Sequence, residues 1–431
     1  MKTIEDLVVC EGNGKVLLLN TSNGHWARMN KERFEQSVSF PDKKLELEKY
    51  LQEKFQLLEA DMDFSANIRS VYFSVTGRCN LNCAFCTMNS GPDVSVENDL
   101  SLDEITAMLI PKLEKINPRK IVITGGEPLV RKDAEEIIKA FALKFGKQSI
   151  VLQTNGLLLT EEWLMRLAEY IGILEISIEN IFESDKLRKK MEGIFKCANK
   201  LDVSLSLSFV VDNHSRQYLK QAIDICHKYK AALTTRIVAL VGRAIQNNAE
   251  DEVLKARTTL EVQYEIIQYL LQKQYYEDTL TGSYAGDLQP KKCCGAFGKI
   301  LAIHPDGSTY MCGNFKSQRY SMGNIREKSI EDICNDLNMK MHDTDYLQEF
   351  LVDQVMMCQN CKVKYFCPGP CVAEMAENEM NNEKISSKCL AKKIMLEYAM
   401  FFYESKKDIK ENLEFLANYM KEILDGVQET K

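Results

Sequence analysis

Cys79, Cys83 and Cys86 stand at the spacing C-x3-C-x2-C in the segment Thr76-Gly77-Arg78-Cys79-Asn80-Leu81-Asn82-Cys83-Ala84-Phe85-Cys86. A 4Fe–4S cubane held by three thiolates keeps one iron open, and that iron can bind a further ligand directly. The competing chemistry is zinc, but a structural zinc site wants four closed ligands. No histidine or fourth cysteine lies near this loop in the sequence. A second group follows far downstream: Cys293, Cys294 and Cys312, then Cys358-x2-Cys361-x5-Cys367-x3-Cys371, then Cys389. Its first C-x2-C pair could also open a zinc ribbon.

Fifteen cysteines in 431 residues is the compositional anomaly. The opening Met1-Lys2-Thr3-Ile4-Glu5-Asp6-Leu7 lacks the apolar stretch of an export signal. The expectation is therefore a cytoplasmic protein whose clustered cysteines serve metal or redox chemistry instead of disulfides. Cys10, Cys197, Cys226 and Cys334 are scattered and read as small buried hydrophobes. A net charge of −7 argues against a general nucleic-acid binder. No apolar run is long enough to span a bilayer.

The elements that must position these cysteines alternate between strand and helix. Strands are predicted at residues 71–75, 120–124, 149–153, 173–178, 203–211 and 233–240, with helical periods between them. Short, apolar, β-branched strands of this kind form a parallel sheet covered by helices. A partial (β/α)6 barrel and an open doubly wound sheet both fit. Sites on such sheets form at the C-terminal strand ends, where the first cysteine loop stands. Ahead of the sheet, residues 15–20 and 25–29 predict a hairpin across Asn20-Thr21-Ser22-Asn23-Gly24. Helical periodicity follows over 31–58, broken at Ser39-Phe40-Pro41. Residues 251–285 predict a polar helical connector, and 385–424 are helical again, with an apolar face at 394–402.

With Phe85 directly before its last cysteine, the first loop resembles the signature of radical S-adenosylmethionine (SAM) enzymes. The resemblance implies that Cys79, Cys83 and Cys86 hold a 4Fe–4S cluster whose open iron chelates the amino and carboxylate groups of SAM. Reductive cleavage then gives a 5′-deoxyadenosyl radical that abstracts a substrate hydrogen. Thr124-Gly125-Gly126-Glu127-Pro128 resembles the family's GGE motif, in which Gly125 and Gly126 let the backbone approach and Glu127 accepts from the SAM amino group. Gln153-Thr154-Asn155-Gly156 ends the third strand, Ser177 lies on the fourth, and Val241-Gly242-Arg243-Ala244 follows the sixth. By resemblance Phe85, Gln153, Asn155, Ser177, Val241 and Gly242 join the SAM site, the last two near adenine. Many relatives carry Asp-Gly after the fourth strand, where this chain has Glu179-Asn180. No catalytic base is singled out.

The later cysteines resemble the SPASM extension of the same family, which carries two auxiliary clusters and brings the expected 4Fe–4S total to three. By resemblance Cys358, Cys361, Cys367 and Cys389 bind one. Cys312, Cys371 and either Cys294 or Cys293 bind the other, leaving an open iron or an unidentified ligand. The predicted fold class is α/β. A small N-terminal α+β unit (1–66) precedes a partial (β/α)6 radical SAM barrel (67–250), a connector (251–285), a SPASM domain (286–405) and a C-terminal helix (406–431). SPASM relatives mostly modify peptides, and the N-terminal unit resembles leader-binding domains, which add the leader as an extra strand. The expected function is maturation of a ribosomally made precursor peptide through a thioether or C–C crosslink. The auxiliary clusters would take up the electron, and flavodoxin or ferredoxin would supply the reductant. The alternatives are an anaerobic sulfatase-maturing type of enzyme, oxidising Cys or Ser of a protein, and a non-catalytic iron–sulfur electron carrier.

Overall fold

The computed structural model describes residues 2–59, 66–247, 255–343, 351–377 and 388–426. The predicted unit boundary at 66/67 borders undescribed residues, and the one near 250 and the helix start at 385 lie outside the described residues. In the N-terminal unit Asn13 and Gly14 take φ of 45° and 64°, the tight turn that Asn-Gly favours. It joins β1 (Val8–Gly12) to β2 (Lys15–Leu19), which pairs in turn with β3 (Trp26–Asn30) in an antiparallel meander. The predicted hairpin forms with Leu19 opposite Trp26, and β1 is an addition to it. Asn30 caps the helix Lys31–Val38 by accepting from Arg33 N. Pro41 opens the helix Pro41–Phe55, where its missing N–H costs nothing. Val16, Leu18, Phe34, Leu47 and Leu51 close this unit's core.

The central sheet contains the six predicted strands in sequence order: β4 (Ser70–Ser74), β5 (Lys120–Thr124), β6 (Ile150–Thr154), β7 (Ile173–Ser177), β8 (Ser204–Val211) and β9 (Ala232–Ile237). All pair in parallel, and the sheet is open. Two strands come from the cysteine-rich C-terminal region: β10 (Ile300–Ile303) pairs in parallel with β4, and β11 (Thr309–Tyr310) returns antiparallel to β10. Val71 and Phe73 on one face of β4, and Ile121 and Val122 on opposite faces of β5, are buried, as helix-covered parallel strands require. After β4 the capping box of Ser101 and Glu104 forms, with Ser101 N donating to Glu104 at 2.8 Å. The turn Ile105–Leu109 widens to π geometry just before the helix Ile110–Glu114, where Pro111 sits in the first turn and its missing N–H costs little.

The polar connector proves to be a packed element. The helix Ala256–Lys273 buries Leu260, Ile266, Ile267 and Leu270 against the helices Cys389–Glu397 and Ile409–Gly426. The helical run beyond 388 is interrupted after a π turn at Tyr398–Phe402. Buried Asn412 fixes the interruption, donating to Glu404 O at 3.0 Å and Asp408 O at 3.1 Å while accepting from Glu404 N at 3.2 Å. The apolar face at 394–402 packs inward: Ala399, Met400 and Phe401 meet Leu17 and Leu19 of β2. Arg28 of β3 completes this docking by donating to the carbonyls of Ala399 (3.2 Å), Met400 (3.0 Å) and Tyr403 (3.3 Å) at the helix end. Among the described residues no helix is long and apolar enough to cross a membrane.

Candidate active site

The cysteine loop leaves the C-terminal end of β4 and rests on the turn after β5. Gly126 N donates to Thr76 O at 2.8 Å and Glu127 N to Arg78 O at 2.9 Å. A Cβ on Gly126 would lie 2.2 Å from Arg78 O, and one on Gly125 (φ +145°) 2.5 Å from Thr76 O, so this seat needs both glycines. Arg243 holds the loop from the other side. Its N–H donates to Cys86 O at 3.0 Å, and its guanidinium reaches Cys83 O at 2.6 Å and also Ser90 O. Phe85 packs on Val238, Leu240 and Ala244.

Backbone donors point at two of the sulfurs: Leu81 N lies 3.4 Å from Cys79 Sγ and Ser90 N 3.4 Å from Cys86 Sγ. Asn155 Nδ2 approaches Cys79 Sγ at 3.8 Å. Such N–H···S contacts are how a protein supports cluster thiolates. Burial, then the neighbouring Cys86 and Cys79 sulfurs, push the Cys83 thiol up to about 11, so its thiolate needs a metal to stabilise it. All fifteen cysteines are free thiols. Among the described residues no three His, Cys, Asp or Glu side chains converge on one metal ion. Three thiolates on one loop suit a cubane with an open iron, whereas a structural zinc wants four closed ligands.

Beside these sulfurs opens a cavity of about 330 Å³ at the C-terminal strand ends. Gln153 and Asn155 line it from β6 and its turn, and Ser177 from β7. The register sets Gln153 opposite Glu175, Ser177 opposite Ser208, and Val210 opposite Arg236. Arg236 Nε donates to Ser208 Oγ at 3.0 Å and Nη2 to Glu175 Oε1 at 2.9 Å, a polar chain across three strands. Sequence reasoning missed this chain. The available signal was a charged residue, Glu175, sharing a face with Ser177 on an otherwise apolar strand.

The later cysteines form two sets. Burial raises Cys358 to about 11, with Cys389, Cys367 and Cys361 adding to it as near neighbours. Burial likewise raises Cys312 to about 11, with Cys294 and Cys371 beside it. Cys293 is buried in the main hydrophobic core, beside Cys294. Of this pair, Cys294 is the one that lies close enough to Cys312 and Cys371 to raise the Cys312 thiol.

The model of the radical SAM superfamily matches residues 73–246, and that of the SPASM iron–sulfur cluster-binding domain matches residues 293–362. The chain is a radical SAM enzyme with a SPASM domain. It binds 4Fe–4S clusters and SAM. The Fe-coproporphyrin III synthase of Methanosarcina barkeri is 25% identical over 334 residues, covering 69% of this chain and 82% of the relative. SAM-bound SuiB of Streptococcus suis shares the fold at a TM-score of 0.54 and 15% identity, over 94% of this chain and 99% of SuiB. The solved structure of anSMEcpe with AdoMet and the Cp18Cys peptide aligns at a TM-score of 0.56 and 18% identity, over 81% of this chain and 98% of that one.

Around the radical SAM cavity, Glu127, Val241 and Gly242 also serve the protein's own packing. The Glu127 carboxylate is fully buried and already accepts from Asn155 N (2.7 Å), Thr154 Oγ1 (2.8 Å) and Leu129 N (3.0 Å). These bonds tie β5 to β6 and satisfy a buried carboxylate that would otherwise be costly. Val241 is buried in the core, and Gly242 (φ +61°) packs so tightly on the cysteine loop that a Cβ would lie 2.5 Å from Thr87 O. Both residues support the loop from behind and do not line the cavity. Glu179, in place of the family's Asp-Gly, accepts from Val210 N at 2.6 Å, and burial raises its pKa.

Proposed function

We propose that this radical SAM enzyme matures a precursor peptide, docking its leader on the N-terminal unit and forming a thioether or carbon–carbon crosslink. The observation that carries the reading is the outer edge of β3, which has a neighbour on one side only among the described residues. Beside that edge runs a groove of about 530 Å³ between β3 and the two N-terminal helices, lined by Arg33, Lys43, Tyr50 and Phe55. An extended peptide pairs its backbone with such an edge and seats alternate side chains in the groove. Tyr50 is 50% and Phe55 38% exposed, which suits an apolar anchor on the peptide. The solved structure of anSMEcpe, a fold neighbour, holds a bound Cp18Cys peptide.

In this reading Cys79, Cys83 and Cys86 hold the catalytic cluster, and the Gly125–Gly126 backbone with Gln153, Asn155 and Ser177 holds SAM. Cys358, Cys361, Cys367 and Cys389 hold one auxiliary cluster, and Cys294, Cys312 and Cys371 the other. When bound, SAM and a reduced cluster supply a 5′-deoxyadenosyl radical that abstracts hydrogen. The chain's own residues position and shield. Phe85 and Leu81 wall the cavity, and Glu175 with Ser208 orients the Arg236 guanidinium toward the incoming peptide. An acidic flavodoxin or ferredoxin in the cytoplasm would supply the electron.

The test is anaerobic incubation of the holoenzyme with SAM, a reductant and a full-length precursor peptide, followed by mass spectrometry. The expected product is lighter by a pair of hydrogen atoms and is lost when the leader is removed. Oxidation of a Cys or Ser on a folded protein, with the peptide untouched, favours the sulfatase-maturing type instead. Absence of 5′-deoxyadenosine sinks both.

A further inference from the structure

β9 ends the central sheet and pairs with β8 alone. Among the described residues, no backbone group from Leu233 to Ile237 bonds outside that ladder. A strand with an open row of N–H and C=O groups is a template for another chain.

Each face of this edge opens on a cavity. On the inner face Arg236, with Ser208 and Val210 of β8, borders the SAM cavity. On the outer face Val211, Thr235 and Ile237 line a second cavity of about 450 Å³. Its far wall comes from the helix Ala256–Lys273 and from the SPASM domain. Lys291, Lys388 and Lys392 rim it, and no carboxylate lines it among the described residues. Lys388 is paired with Glu374, while Lys291 and Lys392 have no acidic partner among the described residues.

We propose that the free edge of β9 takes an extended segment of the substrate as an added strand, its side chains alternating between the SAM cavity and the lysine-rimmed cavity. The proposal rests on the peptide reading above and adds where, and in what register, the reacting segment lies. Successive side chains on a strand point to opposite faces. A residue that faces inward beside Arg236 therefore stands in the reaction cavity. Its two neighbours face Thr235 and Ile237, where apolar walls and unneutralised ammonium groups favour acidic or amphiphilic side chains. The backbone bonds to β9 set how deep the reacting residue sits, so selection works through register as well as through the reacting side chain.

The experiment uses the SAM-loaded holoenzyme and a capped peptide of alternating valine and glutamate, with N-methylated versions and a valine–lysine counterpart. Hydrogen exchange read by mass spectrometry over residues 232–237 should slow when the peptide saturates the enzyme. N-methylation should weaken binding by about fivefold to tenfold at every second position and little between, since alternate amides face β9. The lysine counterpart should bind more weakly, and the double substitution Lys291→Glu with Lys392→Glu should reverse that preference. Unchanged exchange at 232–237, uniform sensitivity to N-methylation, or no binding of the peptide overturns the proposal. A precursor peptide that is crosslinked without any protection of β9 overturns this docking mode and leaves peptide maturation standing. Protection of β9 with no peptide ever modified supports the docking mode and counts against maturation.

Discussion

The backbone N–H of Leu240 donates to the buried carboxylate of Glu374 at 2.9 Å. The same oxygen accepts from Lys388 Nζ at 2.7 Å. Leu240 leads into the turn that grips the catalytic cysteine loop, Glu374 lies one helical turn after Cys371, and Lys388 adjoins Cys389. One carboxylate therefore ties all three cysteine sites together. Glu374→Ala removes the buried oxygen that Leu240 N and Lys388 Nζ share and should cost about 2–4 kcal/mol. Glu374→Gln keeps an acceptor for Leu240 and should cost less. Denaturant unfolding of the cluster-loaded protein measures both, and a wild-type midpoint for the alanine variant would refute the tie.

Arg243→Lys keeps the charge but cannot reach Cys83 O and Ser90 O together from a planar fork. The variant should lose about four irons per chain, the content of one cubane. SAM cleavage should fall at least about tenfold while auxiliary-cluster absorbance persists. Iron analysis and 5′-deoxyadenosine release decide it, and full iron with normal cleavage counts against the clamp.

Cys293→Ala and Cys294→Ala should separate cleanly. The first removes a core side chain, costing about 1 kcal/mol of stability with iron content unchanged. The second should release iron from the set shared with Cys312 and Cys371. Equal iron loss from both would contradict the assignment.

Replacing Cys79, Cys83 and Cys86 by Ala should abolish SAM cleavage. Replacing Cys358 and Cys361 should spare some cleavage yet lose the crosslinked product. Chromatography of 5′-deoxyadenosine beside peptide mass spectrometry gives both readouts, and cleavage by the first variant at the wild-type rate removes the basis for the catalytic assignment.

Glu104 joins the barrel to the SPASM domain through Arg326, whose Nε lies 2.6 Å away. That guanidinium first, and then Ser101 N, lower the Glu104 pKa from 4.5 to about 2. The folded state thus favours the charged form more than the unfolded chain does. The stability gained is complete above about pH 4.5 and is lost as the pH falls toward 2. Glu104→Gln should flatten that slope in urea midpoints of the chain before cluster loading. An identical slope in the variant would mean that other carboxylates govern acid sensitivity.

Strands β4 to β9 were legible because each is a short β-branched run between helical periods, and tertiary context had nothing to override. The cysteine ligand candidates were legible for the same local reason: spacing along one loop is a property of sequence. What escaped was set by contacts distant along the chain. Glu127 resembles a ligand-facing acid, but its bonds to Thr154 and Asn155, from the next strand, could not be read from its motif. The motif at Val241 and Gly242 is visible in the sequence, but the packing of Gly242 on the backbone of Cys86 and Thr87 is not. β10 was missed because its four residues become a strand only beside β4.

That pairing has a cost during synthesis. Ser70–Ser74 emerges from the ribosome about 230 residues before Ile300, which will cover its flank. Until then the nascent barrel carries two uncapped sides, a condition that invites misassociation between neighbouring polypeptides. Fragments ending ahead of residue 300 should therefore precipitate on expression, and productive yield should depend on chaperones that shelter the early strands while the rest of the chain is made.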